Sequence, residues 1–253
     1  MTAIGWLQAI IFFLIILALT KPIGSYMARV FEGGRTWLSP ILVPIEKLIY
    51  RVCGVREDEE MAWHVYALSM LAFSLIGLAY LYILLRTQKW LPFNPAHIDN
   101  MAPDLAWNTA VSFTTNTNWQ FYSGESAMSY LSQMAGLAWH NFVSAAVGIA
   151  IAVAVVRGLV RTNMKTLGNF WVDLTRCSVY ILLPISIVIG LFLVWQGMPQ
   201  NFHDYTTVKS IEGFSQTITG GPMASQEVIK ELGTNGAASS TPTRHRQTRT
   251  RHR

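Results

Sequence analysis

Four stretches of this sequence are long, apolar and free of Asp, Glu, Lys and Arg. Each is close to the roughly 17–25 residues that a helix needs to cross the hydrocarbon core of a bilayer. The whole chain is 51% hydrophobic and only 13% charged, about half the charged share that is typical of a soluble domain. We therefore predict an all-α integral membrane protein. The predicted transmembrane helices are Ile4–Thr20, Trp63–Leu85, Ala135–Val156 and Ser178–Trp195.

The formal net charge of +5 comes from the end of the sequence and not from its body. The chain has 19 Lys and Arg against 14 Asp and Glu, and five of the arginines fall within residues 244–253. The other 14 basic residues equal the acidic ones, so the body shows no basic excess of the kind that binds nucleic acid. We predict the lipid bilayer as a partner and no nucleic acid. Cys53 and Cys177 suggest neither a metal site nor a disulfide framework.

Basic residues divide unevenly between the segments that connect the predicted spans. Loops 21–62 and 157–177 carry ten Lys and Arg, whereas segments 86–134 and 197–243 carry four. Connections that are rich in Lys and Arg stay on the cytoplasmic side of a membrane. We therefore predict that the N-terminus lies outside, that loops 21–62 and 157–177 are cytoplasmic, and that the other two segments face outward.

The outer connection 86–134 contains a segment that differs from a plain loop. Pro103 and Asp104 form a helix-start signal, and the chain stays compatible with a helix as far as Phe113, a length of roughly 16 Å. Residues 114–120 follow, and six of these seven are polar and uncharged. Such a segment enters a membrane only where it is buried in protein or lines a wet pore. Its neutral oxygens would suit a dehydrated monovalent cation; an ordinary surface loop is the alternative.

Some polar residues and a proline fall inside the predicted spans. Asn141 and Ser144 are predicted to be polar contacts between helices. His140 is predicted to pack or to form a hydrogen bond between helices, because no ionisable partner accompanies it in the sequence pattern. Pro184 is predicted to kink the fourth span, which membrane bundles commonly tolerate.

Several long motifs of the sequence resemble one family of membrane proteins. The segment NTAVSFTTNTNWQFYSGE at Asn108–Glu125 is similar to the first selectivity-filter region of the potassium-binding A subunit of the Kdp potassium-transporting P-type ATPase. Three further stretches resemble the same family in the same order, and they are Ser132–Gly136, Thr166–Leu174 and Gly221–Gly236. The resemblance covers residues 1–236. It implies potassium-channel-like span–pore-loop–span repeats around one pore, preceded by an extra transmembrane helix.

The resemblance also implies a function. The family binds extracellular potassium at the filter and passes it to a separate catalytic P-type subunit, which uses ATP and magnesium; a small single-span subunit completes the complex. This chain would then be non-catalytic and hold no cofactor, with the potassium ion as its substrate. It contains neither a Gly-rich Lys-Ser/Thr phosphate loop nor an Asp-Lys-Thr-Gly phosphorylation sequence. The implied location is the plasma membrane of a prokaryote, which is the inner membrane of a Gram-negative cell.

The family motif assigns the site residues position by position. The first filter strand corresponds to Thr114, Thr115, Asn116, Thr117 and Asn118. Gln120 lies just behind it, at a family position linked to potassium affinity. A second, incomplete filter corresponds to Gly233, Thr234, Asn235 and Gly236, and its Thr-Asn pair matches Thr115-Asn116 of the first filter.

The predicted organisation follows from the spans and these motifs. It comprises a leading transmembrane helix at 1–30, a cytoplasmic loop at 31–62, a first span–pore-loop–span repeat at 63–156 with its filter at 114–120, a second cytoplasmic loop at 157–177, the start of a second repeat at 178–236, and a divergent, disordered basic tail at 237–253.

The tail departs abruptly from the family pattern. After Ala238 the sequence is filled by Ser, Thr, Arg and His, and we expect it to result from a shifted reading frame. We also expect the 253-residue chain, which lacks two of the family's pore repeats, to be unable to support potassium uptake. A non-functional truncated fragment is therefore one alternative to the main reading. Another is an ATP-independent oligomeric cation channel, in which each chain would have to supply a complete filter loop.

The charge distribution generates a test of topology. In a variant without Cys53 and Cys177, we expect a single cysteine at Ser123 to react with a membrane-impermeant thiol reagent in intact cells. A single cysteine at Arg161 should react only after the cells are opened. Labelling at position 161 but not at position 123 in intact cells would contradict the predicted orientation.

Overall fold

The computed structural model describes residues 2–117, 119–161, 165–209, 215–218 and 220–236, the side chains of 215–218 excepted. Helices α1 to α9 run in order over Ala3–Phe31, Ser39–Cys53, Trp63–Thr87, Pro103–Thr114, Gly124–Ala127, Trp139–Val160, Phe170–Arg176, Leu183–Trp195 and Met223–Leu232. A 3-10 turn at Gln88–Trp90 follows α3, and π-helical segments at Ser132–Ala138 and Cys177–Leu182 lead into α6 and α8. Strands β1 (Thr206–Lys209) and β2 (Ser215–Ile218) form an antiparallel hairpin with Thr206 opposite Ile218. The predicted tail 237–253 lies outside the described residues.

The predicted all-α membrane class and its four spans are confirmed. Among the described residues, the helices long and apolar enough to cross a membrane are Ala3–Phe31, Trp63–Trp90, Ser132–Val160 and Phe170–Trp195. All four exceed the predicted spans. The first three predicted spans end directly before a Lys or Arg residue. The helices continue past these residues because Lys and Arg side chains can extend to the membrane surface. Thus α1 passes Lys21 and Pro22, and the predicted loop 31–62 contains the helix α2.

Helix α4 packs against both α3 and α6. Its residues Ala106, Ala110 and Phe113 are fully buried and form a core with Leu81 and Leu85 of α3. Alanines let two helix backbones approach closely, which is the usual basis of packing between membrane helices. At twelve residues α4 is about 18 Å long, too short to cross a bilayer. Its start at Pro103 agrees with the predicted start signal.

The segments that connect the spans contact one another in two groups, one at each end of the bundle. At one end, the Met61 amide donates to the Gly168 carbonyl at 2.7 Å, and Arg161 pairs with Glu60 at 3.1 Å. At the other end, the Tyr130 hydroxyl donates to the His203 carbonyl at 2.8 Å. The two basic loops therefore share one end, which agrees with the grouping predicted from charge.

An ion pair joins four helices at the end with the basic loops. Arg157 of α6 binds both carboxylate oxygens of Asp173 at 2.6 and 3.0 Å and also donates to the Phe31 carbonyl of α1 at 3.2 Å. The Tyr66 hydroxyl of α3 donates to the same carboxylate at 3.1 Å. Asp173 is only 1% exposed. Its charge is compensated because the guanidinium and the hydroxyl supply three hydrogen bonds.

The proline in the fourth span has its own compensation. Pro184 lacks an N–H, so it cannot bond to the carbonyl of Tyr180 four residues before it. The Tyr26 hydroxyl of α1 donates to this carbonyl at 2.9 Å. The π-helical segment Cys177–Leu182 ends directly before α8 begins at Leu183. A widened turn thus precedes Pro184, with a donor from a neighbouring helix, and the kink at this proline stays a prediction.

Helix α2 docks on the bundle through Glu46, which is 7% exposed. Its carboxylate accepts hydrogen bonds from Tyr50 and Tyr180, both at 2.7 Å, and from Arg176 Nε at 3.0 Å. Burial alone would raise the pKa of Glu46, but the bonds from the two tyrosines and the arginine outweigh it and lower the pKa below the ordinary glutamate value. The carboxylate is therefore ionised when α2 is docked.

We expect Glu46→Gln to loosen α2. Removing one member of a largely buried ion pair should cost about 3–5 kcal/mol, which would speed hydrogen exchange of the α2 amides by about 150-fold or more. In the wild-type chain, this contribution is complete above the ordinary glutamate pKa and is lost as the pH falls through the lowered pKa. The control is Glu57→Gln, because Glu57 lies 3.8 Å from Arg176 but is 56% exposed. Equal exchange in the two variants would contradict this role of Glu46.

Candidate pore loops

The polar segment after α4 begins with a helix-ending turn. The Asn116 amide donates to the Phe113 carbonyl at 3.2 Å, and the Thr117 amide donates to the Ser112 carbonyl at 3.1 Å. Asn116 has a left-handed backbone with φ of 59°. This pattern is a Schellman turn, which satisfies carbonyls that the end of a helix would otherwise leave unpaired. Asparagine is one of the few residues besides glycine that tolerates this conformation.

The segment after α9 repeats this turn. The Thr234 amide donates to the Glu231 carbonyl at 3.2 Å, and the Asn235 amide donates to the Lys230 carbonyl at 3.0 Å. Thr234 is the left-handed residue here, with φ of 61°. Hydrogen bonds and dihedral angles thus align Thr234 with Asn116, whereas the sequence motif aligned it with Thr115. The backbone shifts the correspondence by one residue because the helix end fixes which residue turns.

The two segments meet side by side. Asn235 Nδ2 donates to Asn116 Oδ1, and Asn116 Nδ2 lies 3.4 Å from the Gly233 carbonyl oxygen. Ser144 of α6 links them, because its hydroxyl donates to Asn116 Oδ1 at 2.8 Å and lies 3.3 Å from Asn235 Nδ2. A Cβ on Gly233 would lie 2.8 Å from the Asn141 carbonyl oxygen, so only glycine fits there. We call Asn116, Ser144, Gly233 and Asn235 the loop junction.

The groups that line these segments are neutral. Thr115 Oγ1 lies 3.0 Å from Thr117 Oγ1 and donates to the Val111 carbonyl at 2.9 Å, so the two hydroxyls hold each other in place. Among the described residues, no group of three or more His, Cys, Asp and Glu side chains could hold a metal ion. The one buried ammonium near the second turn, Lys230, is paired with Glu227 at 2.7 Å. The arrangement offers hydroxyl, amide and backbone oxygens and no unpaired charge from these groups.

The other predicted site residues occupy separate positions. The Thr114 hydroxyl is buried without a hydrogen-bond partner among the described residues and lines a small cavity between α3 and α6, next to Gly77, His140 and Ser144. Asn118 lies outside the described residues. Gln120 is half-buried, and its side chain lies near the buried Tyr122 hydroxyl. The structure thus brings Asn116 together with the second segment, while the Thr114 hydroxyl faces the small cavity.

The residues that form this geometry belong to a segment that matches a known protein family. The profile of the family described as "Potassium-transporting ATPase A subunit" matches residues 10–239. The chain belongs to this family. A protein of Bradyrhizobium diazoefficiens is 57% identical over 236 residues, and one of Solibacter usitatus is 58% identical over the same length. Both carry the name "Potassium-transporting ATPase potassium-binding subunit".

The chain is shorter than these members of the family. The aligned residues make up 93% of this chain but 42% of the Bradyrhizobium and of the Solibacter protein. A relative from Granulibacter bethesdensis has the same name and the same coverage at 55% identity. The chain therefore spans less than half the length of the curated relatives that it matches.

Sequence reasoning missed the role of Ser144. Ser144 and Asn141 were predicted only as polar contacts between helices, but Ser144 joins the two segments that follow α4 and α9, and the Asn141 carbonyl lies against Gly233. The available signal was a polar residue within an apolar span. This signal does not identify the hydrogen-bond partner Asn235, because that residue lies 91 positions further along the chain. His140 is buried with Nδ1 3.1 Å from the Gly136 carbonyl oxygen, a contact within one span.

The left-handed backbone of Thr234 generates a stability test. A β-branched residue is strained in this conformation, so we expect Thr234→Gly to raise the free energy of unfolding by about 1 kcal/mol. The control is Thr115→Gly, where φ is −88° and glycine relieves no strain; it should lower stability by about 1 kcal/mol. Denaturant unfolding in detergent measures both. A destabilised Thr234→Gly variant would show that no strain is stored there.

Proposed function

We propose that this chain binds potassium between its two pore segments and belongs to an ATP-driven potassium uptake complex as the potassium-binding and translocating subunit. The observation that carries the proposal is the meeting of two identical helix-ending turns at the loop junction. A repeated turn on two short helices, α4 and α9, is what a pore built from span–pore-loop–span repeats requires. The names of the relatives support potassium as the transported ion.

The chemistry of the two segments supports a monovalent cation. Potassium is held in selective pores by rings of neutral oxygens that replace its water shell. Thr115, Thr117 and Asn235 offer such oxygens beside backbone carbonyls. The C-terminal ends of α4 and α9 both lead into the loop junction, and each carries the partial negative charge of the helix dipole. The site thus attracts a cation without a carboxylate that would hold it too tightly.

The rest of the complex is part of the same proposal. Potassium enters from outside at the filter formed by residues 114–118 with Gln120, and the segment 233–236 supplies a second part of the filter. The chain hands the ion to a catalytic P-type subunit that binds ATP and magnesium, and a small single-span subunit joins them. The complex lies in the plasma membrane of a prokaryote, with the N-terminus of this chain outside. The sequence contains no phosphate loop or phosphorylation motif, which agrees with a non-catalytic role.

The internal pairing of the segments weighs against an oligomeric channel that works without ATP. In such a channel, identical loops from several chains would surround the pore. Here two loops of different sequence meet within one chain, through Asn116 and Asn235. If this chain conducted ions in the absence of ATP, that result would support the oligomeric channel.

We expect Gln120→Arg to weaken potassium use in the complete subunit assembled with its ATP-hydrolysing partner. A cation about 8 Å from the bound ion, at an effective dielectric constant of about 20, costs about 2 kcal/mol. The apparent potassium affinity of the ATPase should therefore fall about 30-fold. Thr115→Ala should have a smaller effect, because backbone carbonyls remain available to the ion.

The control is Gln196→Arg, which makes the same change at an exposed position at the end of α8. Potassium dependence of ATP hydrolysis and uptake of rubidium as a potassium substitute are the measurements. If Gln120→Arg keeps the wild-type potassium dependence, or if Gln196→Arg loses as much, this filter assignment is wrong.

A further inference from the structure

Helix α2 carries an apolar stripe that the rest of the described chain leaves uncovered. Ile41, Ile45, Leu48 and Val52 are all exposed, with Ile41 at 68% and Val52 at 77%. At about 100° per residue, these four side chains fall within an arc of roughly 60° on the helix surface. They are separate from the face that docks on the bundle, where Leu42 and Tyr50 are buried together with Glu46.

A third face of α2 is basic. Lys47 and Arg51 are exposed and lie roughly 100° from the apolar stripe, on the side away from the docking face. No ion pair within the described part of the chain involves either residue. The one acidic residue of α2 is Glu46, which faces the bundle and is bound by Arg176. The outward surface of α2 is therefore apolar on one side and cationic on the other.

The position of α2 places this surface at a membrane boundary. Helix α1 shows no buried residue in its most apolar window, as expected of a helix surrounded by lipid. It ends at Phe31, and α2 begins eight residues later at Ser39. Trp37 lies between them and is 80% exposed; exposed tryptophans are enriched at the membrane–water interface. The exposed stripe of α2 thus follows closely in the chain on the end of a lipid-exposed span.

We propose that α2 lies in the membrane interface, where its stripe of Ile41, Ile45, Leu48 and Val52 enters the acyl chains while Lys47 and Arg51 bind the phosphate groups of anionic phospholipids. Helices with one apolar face and a Lys/Arg-rich polar face occupy this plane of a bilayer. This inference concerns the end of the bundle away from the pore segments and does not depend on the proposed potassium site.

The depth of α2 can be measured with spin labels. In a chain with Cys53→Ser, a nitroxide is attached at Val52→Cys or at Lys47→Cys, and the full chain is reconstituted in phosphatidylcholine–phosphatidylglycerol nanodiscs. Cys177 is buried and should stay unlabelled. We expect the label at position 52 to collide with oxygen and to be shielded from a water-soluble nickel chelate. The label at position 47 should show the reverse.

If something other than lipid covers the stripe, the spin labels respond differently to oxygen and nickel. A label at position 52 that is shielded from both oxygen and nickel would show that protein covers the stripe. Spin–spin broadening between copies would show that a second chain covers it. Equal access of nickel to both labels would show a stripe in water. Each of these results overturns the proposal.

The phosphate contacts need a second measurement. Native mass spectrometry of the chain in detergent, titrated with phosphatidylglycerol, gives its apparent dissociation constant. A basic residue near an anionic membrane surface adds to the binding free energy of an anionic lipid. We therefore expect Lys47→Gln to raise the apparent dissociation constant about fivefold, and the addition of Arg51→Gln to raise it about fivefold more. The control is Lys165→Gln, an exposed lysine at the same end of the bundle. An unchanged constant in Lys47→Gln, or an equal change in Lys165→Gln, would exclude these headgroup contacts.

Discussion

The fold depends on one constraint: a backbone amide or carbonyl in a bilayer must find its partner within the protein. A regular span meets this requirement alone, but α4 and α9 end after twelve and ten residues and release the chain into irregular loops. Both loops meet the requirement with the same Schellman turn, and both left-handed residues, Asn116 and Thr234, follow from it. The two segments can therefore be non-helical because the helix ends and the surrounding side chains satisfy their backbone groups.

The same constraint explains the polar contacts elsewhere in the bundle. The Tyr180 carbonyl, which Pro184 cannot bond, receives the Tyr26 hydroxyl. Asp173, buried at the end of the third and fourth spans, receives Arg157. Such buried pairs add little net stability, since desolvation offsets their attraction. An arrangement of α1, α3, α6 and α7 that separated Arg157 from Asp173 would leave a buried charge unpaired.

The two proposals assign opposite chemistry to opposite ends of the molecule. The pore segments gather neutral oxygens around the C-terminal ends of two short helices, which suits a cation that must bind and then leave. Helix α2 presents two cations, which form no ion pair with the described residues, beside an apolar stripe; this suits an anionic surface that should stay bound. Membership of the potassium-transporting ATPase A subunit family bears on the first of these sites. The second follows from the amphipathic pattern of α2 and its place after α1.

The sequence by itself determined the membrane class, the four spans, the start of α4 at Pro103 and the family. All of these are encoded in consecutive residues: apolar runs, a proline–acid pair and long motifs. Helix α2 is also encoded in consecutive residues, but its apolar residues recur every three to four positions. They form no continuous apolar run, so α2 was not among the predicted helices. Only the tertiary structure decided that Asn116 aligns with Thr234, that Thr114 lines a small cavity and that Ser144 joins the loops. These facts depend on where a helix end turns the chain and on contacts between residues 28 to 119 positions apart, which local pattern does not encode.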